Sequence, residues 1–228
     1  AMNIHRSAFS GRNFEYYSED GYISGIIAAY AIQGAESHGV YSFIKHFAIN
    51  DQETNRTNMM CTWLTEQSAR EIYMKSFELA VKIGGADACM SAFNYVGNQY
   101  AGACDPMLNK ILRGEWGFVG MVLTDYFGGY GYQDADIQIR NGGDFCLSPN
   151  GGGTSELTDI TSATSIKYAR QACKNILYVT ANCRDYAGLV DLSTPTWQVA
   201  VWAVSGVLAL ALVGVEFLLV KKYLKASK

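Results

Sequence analysis

One seven-residue stretch, residues 120–126 (GMVLTDY), constrains the fold more than any other part of the sequence. Its apolar part is short, partly β-branched and preceded by glycine, which is typical of a strand buried on both faces of a parallel sheet. Asp125 lies where this strand would end, and in barrels of alternating strands and helices the C-terminal strand ends carry the chemistry. A carboxylate there is solvated, paired or functional, or it caps the next turn.

The rest of the sequence alternates between short apolar runs and amphipathic runs, an order that predicts parallel strands with helices packed outside them. Strands are predicted at residues 2–6, 40–47, 88–93, 120–126 and 142–147. Helices are predicted at residues 21–36, 65–83, 105–113, 132–141 and 162–181. The predicted fold class is therefore α/β, an incomplete TIM-like (β/α)8 barrel of about five strands. Its open strand edges would make it poorly stable alone.

The C-terminal segment is the clearest signal in the composition. Residues 197–220 are almost entirely apolar or small, and about 20 such residues cross a bilayer as a helix. Trp197 and Trp202 lie near one end, where indole rings favour the headgroup level, and residues 221–228 carry four lysines. The positive-inside rule then predicts a membrane-anchored protein with an extracytoplasmic barrel domain and a cytoplasmic C-terminus. A buried core helix is the alternative.

The predicted organisation has four parts: a partial barrel domain (1–183), a linker (184–196), a transmembrane helix (197–220) and a basic cytoplasmic tail (221–228). The first residues contain no signal peptide, although an exported domain needs one. We therefore expect the sequence to be the C-terminal part of a longer protein.

Composition argues against several classes of function. Four of the 18 Lys and Arg residues lie in the last eight positions, so the rest of the chain is acidic and gives no support to nucleic-acid binding. Six cysteines without a CxxC pair, together with three histidines, make a zinc site improbable, and no metal or cofactor is expected. We expect buried free thiols, with disulfides as the alternative for an exported domain.

Polar side chains gather where the predicted strands end. The strand ends carry Arg6, Lys45, His46, Phe93, Asn94, Asp125 and Tyr126, and Arg12 and Arg56 lie on adjacent loops. Basic donors, an aromatic ring and one carboxylate suit a polyhydroxylated substrate. Cations around Asp125 would hold its pKa low, as a carboxylate nucleophile needs. The alternative is a set of loop ion pairs, Arg12 with Glu15 and Arg56 with Glu53.

Four motifs resemble glycoside hydrolase family 3. They are residues 11–20 (GRNFEYYSED), 45–56 (KHFAINDQETNR), 90–94 (MSAFN) and 112–120 (LRGEWGFVG), the last leading into Thr124, Asp125 and Tyr126. The resemblance covers about residues 2–183 and implies a retaining exo-acting β-glycosidase of the β-glucosidase or β-xylosidase type. It implies that Asp125 is the nucleophile. It also implies that Arg12, Lys45, His46 and Arg56 line the subsite for the non-reducing sugar of a β-linked glycoside or oligosaccharide.

The sequence departs from the family pattern in ways that affect activity. Phe93 stands where many members have a Tyr that hydrogen-bonds the nucleophile, and Tyr126 stands where many have a Trp. In most members the acid/base Glu comes from a second domain, so we expect an upstream domain to supply it. The branch that uses a His-Asp pair after the Lys-His strand is disfavoured, because residues 48–56 contain no His. The competing interpretations are a membrane-tethered carbohydrate-binding barrel without activity and a structural module.

Overall fold

The computed structural model describes residues 1–128, 130–149, 153–183 and 193–226. The chain divides into two compact units, Ala1–Leu189 and Val190–Lys228. In chain order the strands are β1 (Phe43–Phe47), β2 (Cys61–Thr62), β3 (Ala88–Ser91), β4 (Tyr95–Val96), β5 (Gln99–Tyr100), β6 (Met121–Tyr126) and β7 (Phe145–Leu147). The α-helices are α1 (Gly21–Glu36), α2 (Glu66–Ser68), α3 (Lys75–Lys82), α4 (Ala135–Arg140), α5 (Ala163–Asn182) and α6 (Thr196–Ala226).

The first unit is built on a parallel sheet with the strand order β1-β3-β6-β7, and helices follow its strands along the chain. The register pairs Ile44 with Cys89 and Cys89 with Val122, three buried residues on adjacent strands. The predicted α/β class with a parallel sheet is confirmed. Because the four strands of this sheet are parallel, their carboxyl ends lie at the same edge of the sheet.

The predicted strand at residues 2–6 is wrong, and the main parallel sheet has four strands among the described residues rather than five. Met2 donates one backbone hydrogen bond to the Lys45 oxygen at 2.8 Å, beside β1. The next contact with β1 is made by a side chain, that of Asn3, instead of by the backbone. The segment is therefore buried and extended without forming a ladder.

A second sheet, with the order β2-β4-β5, was not predicted. Each of its strands has two residues, too few to show a periodic pattern. β4 and β5 form a hairpin, and the intervening Gly97 has a φ of +59°. The Gly-Asn pair at residues 97–98 is a recognised hairpin signal that could have revealed it.

The predicted helix at residues 21–36 is confirmed with the same bounds. Asp20 caps α1, because its Oδ1 accepts hydrogen bonds from the backbone nitrogens of Tyr22 and Ile23 at 2.7 and 2.9 Å. Gly25 lets α1 approach α3 closely, since a Cβ atom at this position would lie 2.7 Å from Leu79 Cδ1.

The other predicted helices form with differences. The helix predicted at 65–83 consists of α2, a π-helical turn (Ala69–Tyr73) and α3, and that predicted at 105–113 is a π-helix (Pro106–Glu115). Both helical segments cover the sheet. Phe47 of β1 meets Phe77 of α3 with ring centroids 5.3 Å apart and Trp116 with centroids 5.8 Å apart. The core therefore lies between the sheet and these helices.

The second unit contains α6, a helix of 31 residues with exposed apolar side chains. By length and composition, it is the one helix in the described part of the chain that could cross a membrane. The helix continues past residue 220 through Ala226, so three lysines of the predicted tail are helical. Most of the predicted linker, residues 184–192, lies outside the described residues.

Candidate active site

Asp125 lies near the carboxyl end of β6, as predicted. Its side chain is only 13% exposed. One carboxyl oxygen, Oδ1, accepts a hydrogen bond from the backbone nitrogen of Tyr126 at 2.7 Å. The other, Oδ2, is buried and accepts none from the described residues. One oxygen of this carboxylate is therefore fixed, and the other retains its capacity to react or to bind.

Two predicted residues flank that second oxygen. His46 Nε2 lies 3.4 Å from Asp125 Oδ2, and Arg56 Nη1 lies 3.5 Å from the same atom. β1 and β6 are separated by β3 in the sheet, so His46 approaches across one strand, whereas Arg56 comes from the loop at residues 48–60. The structure thus brings residues 46, 56 and 125 together from three parts of the sequence.

The pKa of Asp125 differs from the prediction. Burial raises the pKa of Asp125 above its usual value, although the Tyr126 hydrogen bond and the charges of Arg56, Arg12 and Lys45 act to lower it. The predicted low pKa of Asp125 is therefore wrong, because the cations do not compensate for desolvation.

His46 is held neutral. Burial, reinforced by the charges of Arg12 and Lys45, lowers the pKa of His46 to about 2. Its Nδ1 atom is buried and has no hydrogen-bond partner among the described residues. A neutral imidazole can still donate one hydrogen bond to a ligand or to Asp125, and it adds no positive charge to the site.

Arg56 is positioned by two further contacts. Its Nε lies 2.8 Å from Glu53 Oε2, and its guanidinium lies 4.4 Å from the centroid of the Phe93 ring. Phe93 also packs edge-on against Tyr130, with centroids 5.6 Å apart. Phe93 therefore supports Arg56 through a cation–π contact and offers no hydroxyl group to its neighbours.

The other predicted cations, Arg12 and Lys45, are joined to Arg56 by acidic residues. Arg12 Nε pairs with Glu15 Oε1, and Lys45 Nζ lies 3.4 Å from Glu15 Oε2. Arg12 Nη1 lies 3.9 Å from Glu53 Oε1, and Glu53 also pairs with Arg56. Both ion pairs of the alternative interpretation thus form, within one network that continues to the nucleophile candidate.

The structure gathers six of the seven predicted site residues through side-chain contacts. The exception is Tyr126, which is 45% exposed and contributes its backbone nitrogen. Sequence reasoning named the pairs of Glu15 with Arg12 and of Glu53 with Arg56, but it missed that Glu15 also contacts Lys45 and that Glu53 also contacts Arg12. It also missed Asn3, whose local sequence carries no signal for its role.

Two other residues at predicted strand ends lie outside this cluster. Arg6 is exposed and lines a separate pocket. Asn94 is buried, and its Nδ2 lies 3.4 Å from the Ala48 oxygen and 3.5 Å from Thr62 Oγ1. Asn94 therefore ties β3 to the neighbouring loop and to β2. Among the described residues, no group of three or more His, Cys, Asp or Glu side chains could hold a metal ion.

Comparisons with known proteins identify the family of the chain. Residues 2–148 match the glycosyl hydrolase family 3 N-terminal domain. The chain is 44% identical over 129 residues to a beta-glucosidase of Rhizobium radiobacter and 43% identical over 132 residues to beta-glucosidase B of Emericella nidulans. These alignments cover 57% and 58% of this chain and 16% of each relative, so the chain spans a small part of their length.

Solved structures of similar proteins support the same assignment. Beta-glucosidase 3B from Thermotoga neapolitana, in complex with glucose, superimposes with a TM-score of 0.71 at 35% identity, over 82% of this chain and 27% of that one. Beta-glucosidase from Kluyveromyces marxianus, also with glucose, gives a TM-score of 0.72 at 30% identity, over 84% and 23%. The chain belongs to glycosyl hydrolase family 3.

Proposed function

We propose that this protein is a retaining, exo-acting β-glycosidase of the β-glucosidase or β-xylosidase type, and that Asp125 is its nucleophile. The observation that carries the proposal is the free Oδ2 of Asp125, which lies between His46 and Arg56 at the carboxyl end of a parallel strand. A buried carboxyl oxygen without a hydrogen-bond partner is uncommon in folded proteins unless a ligand or reaction uses it.

In the proposed reaction, Asp125 Oδ2 attacks the anomeric carbon of the terminal sugar and forms a covalent glycosyl ester. The leaving oxygen takes a proton from a carboxylic acid, which then acts as a base and activates water to cleave the ester. Asp125 must be ionised to attack, so its raised pKa sets the lower limit of the pH range for activity.

The neighbouring cations have the donor groups that sugar hydroxyls require. Lys45 and Arg12 are partly exposed, and each retains N–H donors beyond its ion pair with Glu15. His46 and Arg56 add donors next to the nucleophile. We assign these four residues to the subsite for the non-reducing sugar, with Phe93 and Tyr126 at its edge.

The acid/base residue is proposed to come from a further domain of the same protein, as a glutamate. The carboxyl group of a retaining enzyme's acid/base lies about 5–5.5 Å from the nucleophile and needs a raised pKa. Glu15 does not fit, because the hydrogen bond and charge of Arg12 hold its pKa below the usual value despite burial. Glu53 bridges Arg12 and Arg56, a structural role that occupies both its oxygens.

A sugar-binding protein without turnover is the second candidate. Phe93 favours it, because a phenyl ring cannot donate the hydroxyl hydrogen bond that would fix Asp125 Oδ2. In this case the same cluster would grip a β-linked sugar and release it unchanged.

We further propose that α6 anchors the protein in a lipid bilayer, with its lysine-bearing end in the cytoplasm and the barrel domain outside. The length and apolar surface of the helix support the proposed anchor. The proposed orientation follows from the lysines after residue 220 by the positive-inside rule.

The test of the catalytic proposal is covalent trapping. The protein would be incubated with 2,4-dinitrophenyl 2-deoxy-2-fluoro-β-glucoside and with the matching xyloside. Dinitrophenolate leaves without protonation, so labelling requires the nucleophile and the sugar subsite but not the acid. We expect a sugar adduct on the peptide that contains Asp125, located by mass spectrometry.

Two variants make this test specific. Asp125→Asn should abolish labelling, whereas Asp105→Asn, an aspartate at the start of the π-helix, should not change it. Labelling of another residue, or equal labelling of Asp125→Asn, would refute the nucleophile assignment. If neither reagent labels the protein but β-glucosides still bind, the second candidate is favoured.

A further inference from the structure

A polar pocket of about 320 Å³ is not used by the proposed reaction. Its walls include Arg6, Asp51 and Gln52, together with Thr62 and Trp63 at the end of β2. The loop at residues 48–60 contributes to this pocket and also carries Arg56 of the candidate active site, so one loop serves both. The volume lies at the lower end of the range found for small-ligand sites.

Asp51 gives this pocket an available acceptor. The residue is only 5% exposed, and its Oδ1 accepts a hydrogen bond from the Ile4 nitrogen at 2.7 Å. Its Oδ2 is buried and has no partner among the described residues. Buried polar atoms are nearly always hydrogen-bonded, so an unpaired one in a pocket wall is a candidate for binding a ligand.

Arg6 gives the pocket a donor of opposite charge. No hydrogen bond or ion pair joins its guanidinium to another side chain in the described part of the chain. Burial raises the pKa of Asp51, and the positive charge of Arg6 acts against that rise. The two charges offset each other. A neutral ligand that carries several hydroxyl groups fits such a lining better than a strongly charged one.

Trp63 adds an apolar surface at the same place. It is 75% exposed, and its ring lies near the turn of the β4-β5 hairpin, where a Cβ atom at Gly97 would be 3.7 Å from its Cζ3. A large exposed indole beside a polar pocket presents a flat apolar face next to hydrogen-bonding groups. A pyranose ring has the complementary form, with C–H groups on its faces and hydroxyls on its edge.

We propose that this pocket is a second saccharide-binding site for neutral oligosaccharides, in which Trp63 stacks on a sugar ring and Arg6, Asp51 and Gln52 bind its hydroxyls. The site is separate from Asp125 and needs no turnover. With this site, the protein would bind oligosaccharides more tightly than single sugars.

The test measures binding in the absence of hydrolysis. The full chain with Asp125→Asn, in a detergent without sugar groups, would be titrated calorimetrically with cellotetraose, laminaritetraose and xylotetraose. Adding Trp63→Ala should weaken binding of at least one tetrasaccharide about tenfold or more, and Arg6→Gln should weaken it in the same direction. Tyr22→Ala, which removes an exposed aromatic ring from α1, is the matched control and should leave the affinity unchanged.

A second measurement separates this site from the nucleophile. In the protein with Asp125 intact, Trp63→Ala should not change the rate of labelling by the 2-fluoro glucoside. Loss of labelling would place Trp63 in the Asp125 subsite and overturn the proposal. Unchanged tetrasaccharide affinity in both variants, or no binding of any tetrasaccharide, would also overturn it, whatever the outcome at Asp125.

Discussion

The side-chain amide of Asn3 is hydrogen-bonded to both backbone groups of His46, with Nδ2 donating to the oxygen and Oδ1 accepting from the nitrogen, each at 2.9 Å. A neighbouring strand would normally make these two bonds with its backbone. Both residues are buried. The Asn3 side chain therefore fixes the backbone of His46, whose imidazole ring lies next to Asp125.

We expect Asn3→Ala to lower the free energy of unfolding by about 2–4 kcal/mol, because it leaves a buried N–H and a buried C=O unpaired. Urea denaturation in a non-ionic detergent would measure this. Asn141→Ala, which removes an exposed bond from Nδ2 to the Ile137 oxygen, is the control and should cost less than about 1 kcal/mol. Similar losses in the two variants would contradict the role of Asn3.

In the protein together with the proposed acid/base domain, Asp125→Asn should reduce turnover of an aryl β-glucoside by about 10⁴-fold or more, as removal of a nucleophile does. The fold should survive, because the substitution keeps the shape of the side chain and removes a buried charge. Azide added to Asp125→Gly should restore turnover and give the α-glycosyl azide, since the anion enters on the face opposite the leaving group. Wild-type rates in Asp125→Asn, or a β-azide product, would refute the assignment.

Stability should depend on pH through Asp51, whose pKa burial raises from 3.8 to about 6. The native state then binds this proton more tightly than the unfolded chain does. The group therefore favours folding below about pH 4, and this contribution is lost as the pH rises through about 6. Asp51→Asn keeps the acceptor for the Ile4 nitrogen and cannot ionise. Its stability relative to wild type should rise by about 2–2.5 kcal/mol between pH 4 and pH 7. A constant difference across this range would contradict the prediction.

Arg113 and Asp144 form a buried ion pair, with Nη2 and Oδ2 2.6 Å apart. The same Asp144 oxygen accepts a hydrogen bond from the Val122 nitrogen at 2.7 Å, so the pair joins the π-helix to the central strand. Arg113→Met should destabilise the protein by about 3–5 kcal/mol, because it leaves a buried carboxylate uncompensated. Lys82→Met, which breaks a surface pair with Glu78, should cost less than about 1 kcal/mol.

The proposed anchor predicts that the protein stays in the membrane pellet after alkaline carbonate extraction. Leu210→Arg, near the middle of α6, should reduce the inserted fraction, because an arginine at the centre of a bilayer costs about 2.5–3.5 kcal/mol. Lys225→Arg near the helix end should have no effect. Release of the wild-type protein by carbonate would refute the anchor. Protection of a C-terminal tag from protease outside sealed cells would support the proposed orientation.

The sequence predicted the elements whose patterns are long and regular. The helix at 21–36 has apolar residues at helical spacing, a capping aspartate before it and glycine soon after its end. The strand at 120–126 combines an apolar run with flanking glycines. Residues 2–6 resemble a strand equally well in composition. In the structure, the Asn3 side chain occupies the backbone nitrogen and oxygen of His46, which a strand ladder would otherwise use. No local sequence pattern reveals such a long-range contact.

The candidate site could be predicted in its residues but not in its connections. Family motifs identified Arg12, Lys45, His46, Arg56 and Asp125, because each belongs to a long matching segment. Glu53 bridges Arg56, three residues away and 2.8 Å distant, and Arg12, which lies 3.9 Å away although it is 41 residues distant in sequence. Only folding brings Arg12 and Glu53 together. The raised pKa of Asp125 was likewise hidden, since a sequence lists cations but not burial.

Because its pKa is lowered to about 2, His46 stays neutral over the whole physiological pH range. The hydrogen-bonding capacity of its ring is therefore the same at mildly acidic and at alkaline pH. An acidic limb in the rate profile would therefore report the ionisation of Asp125 or of the acid/base partner, even if its midpoint fell near 6. Such a midpoint would not report the ionisation of His46.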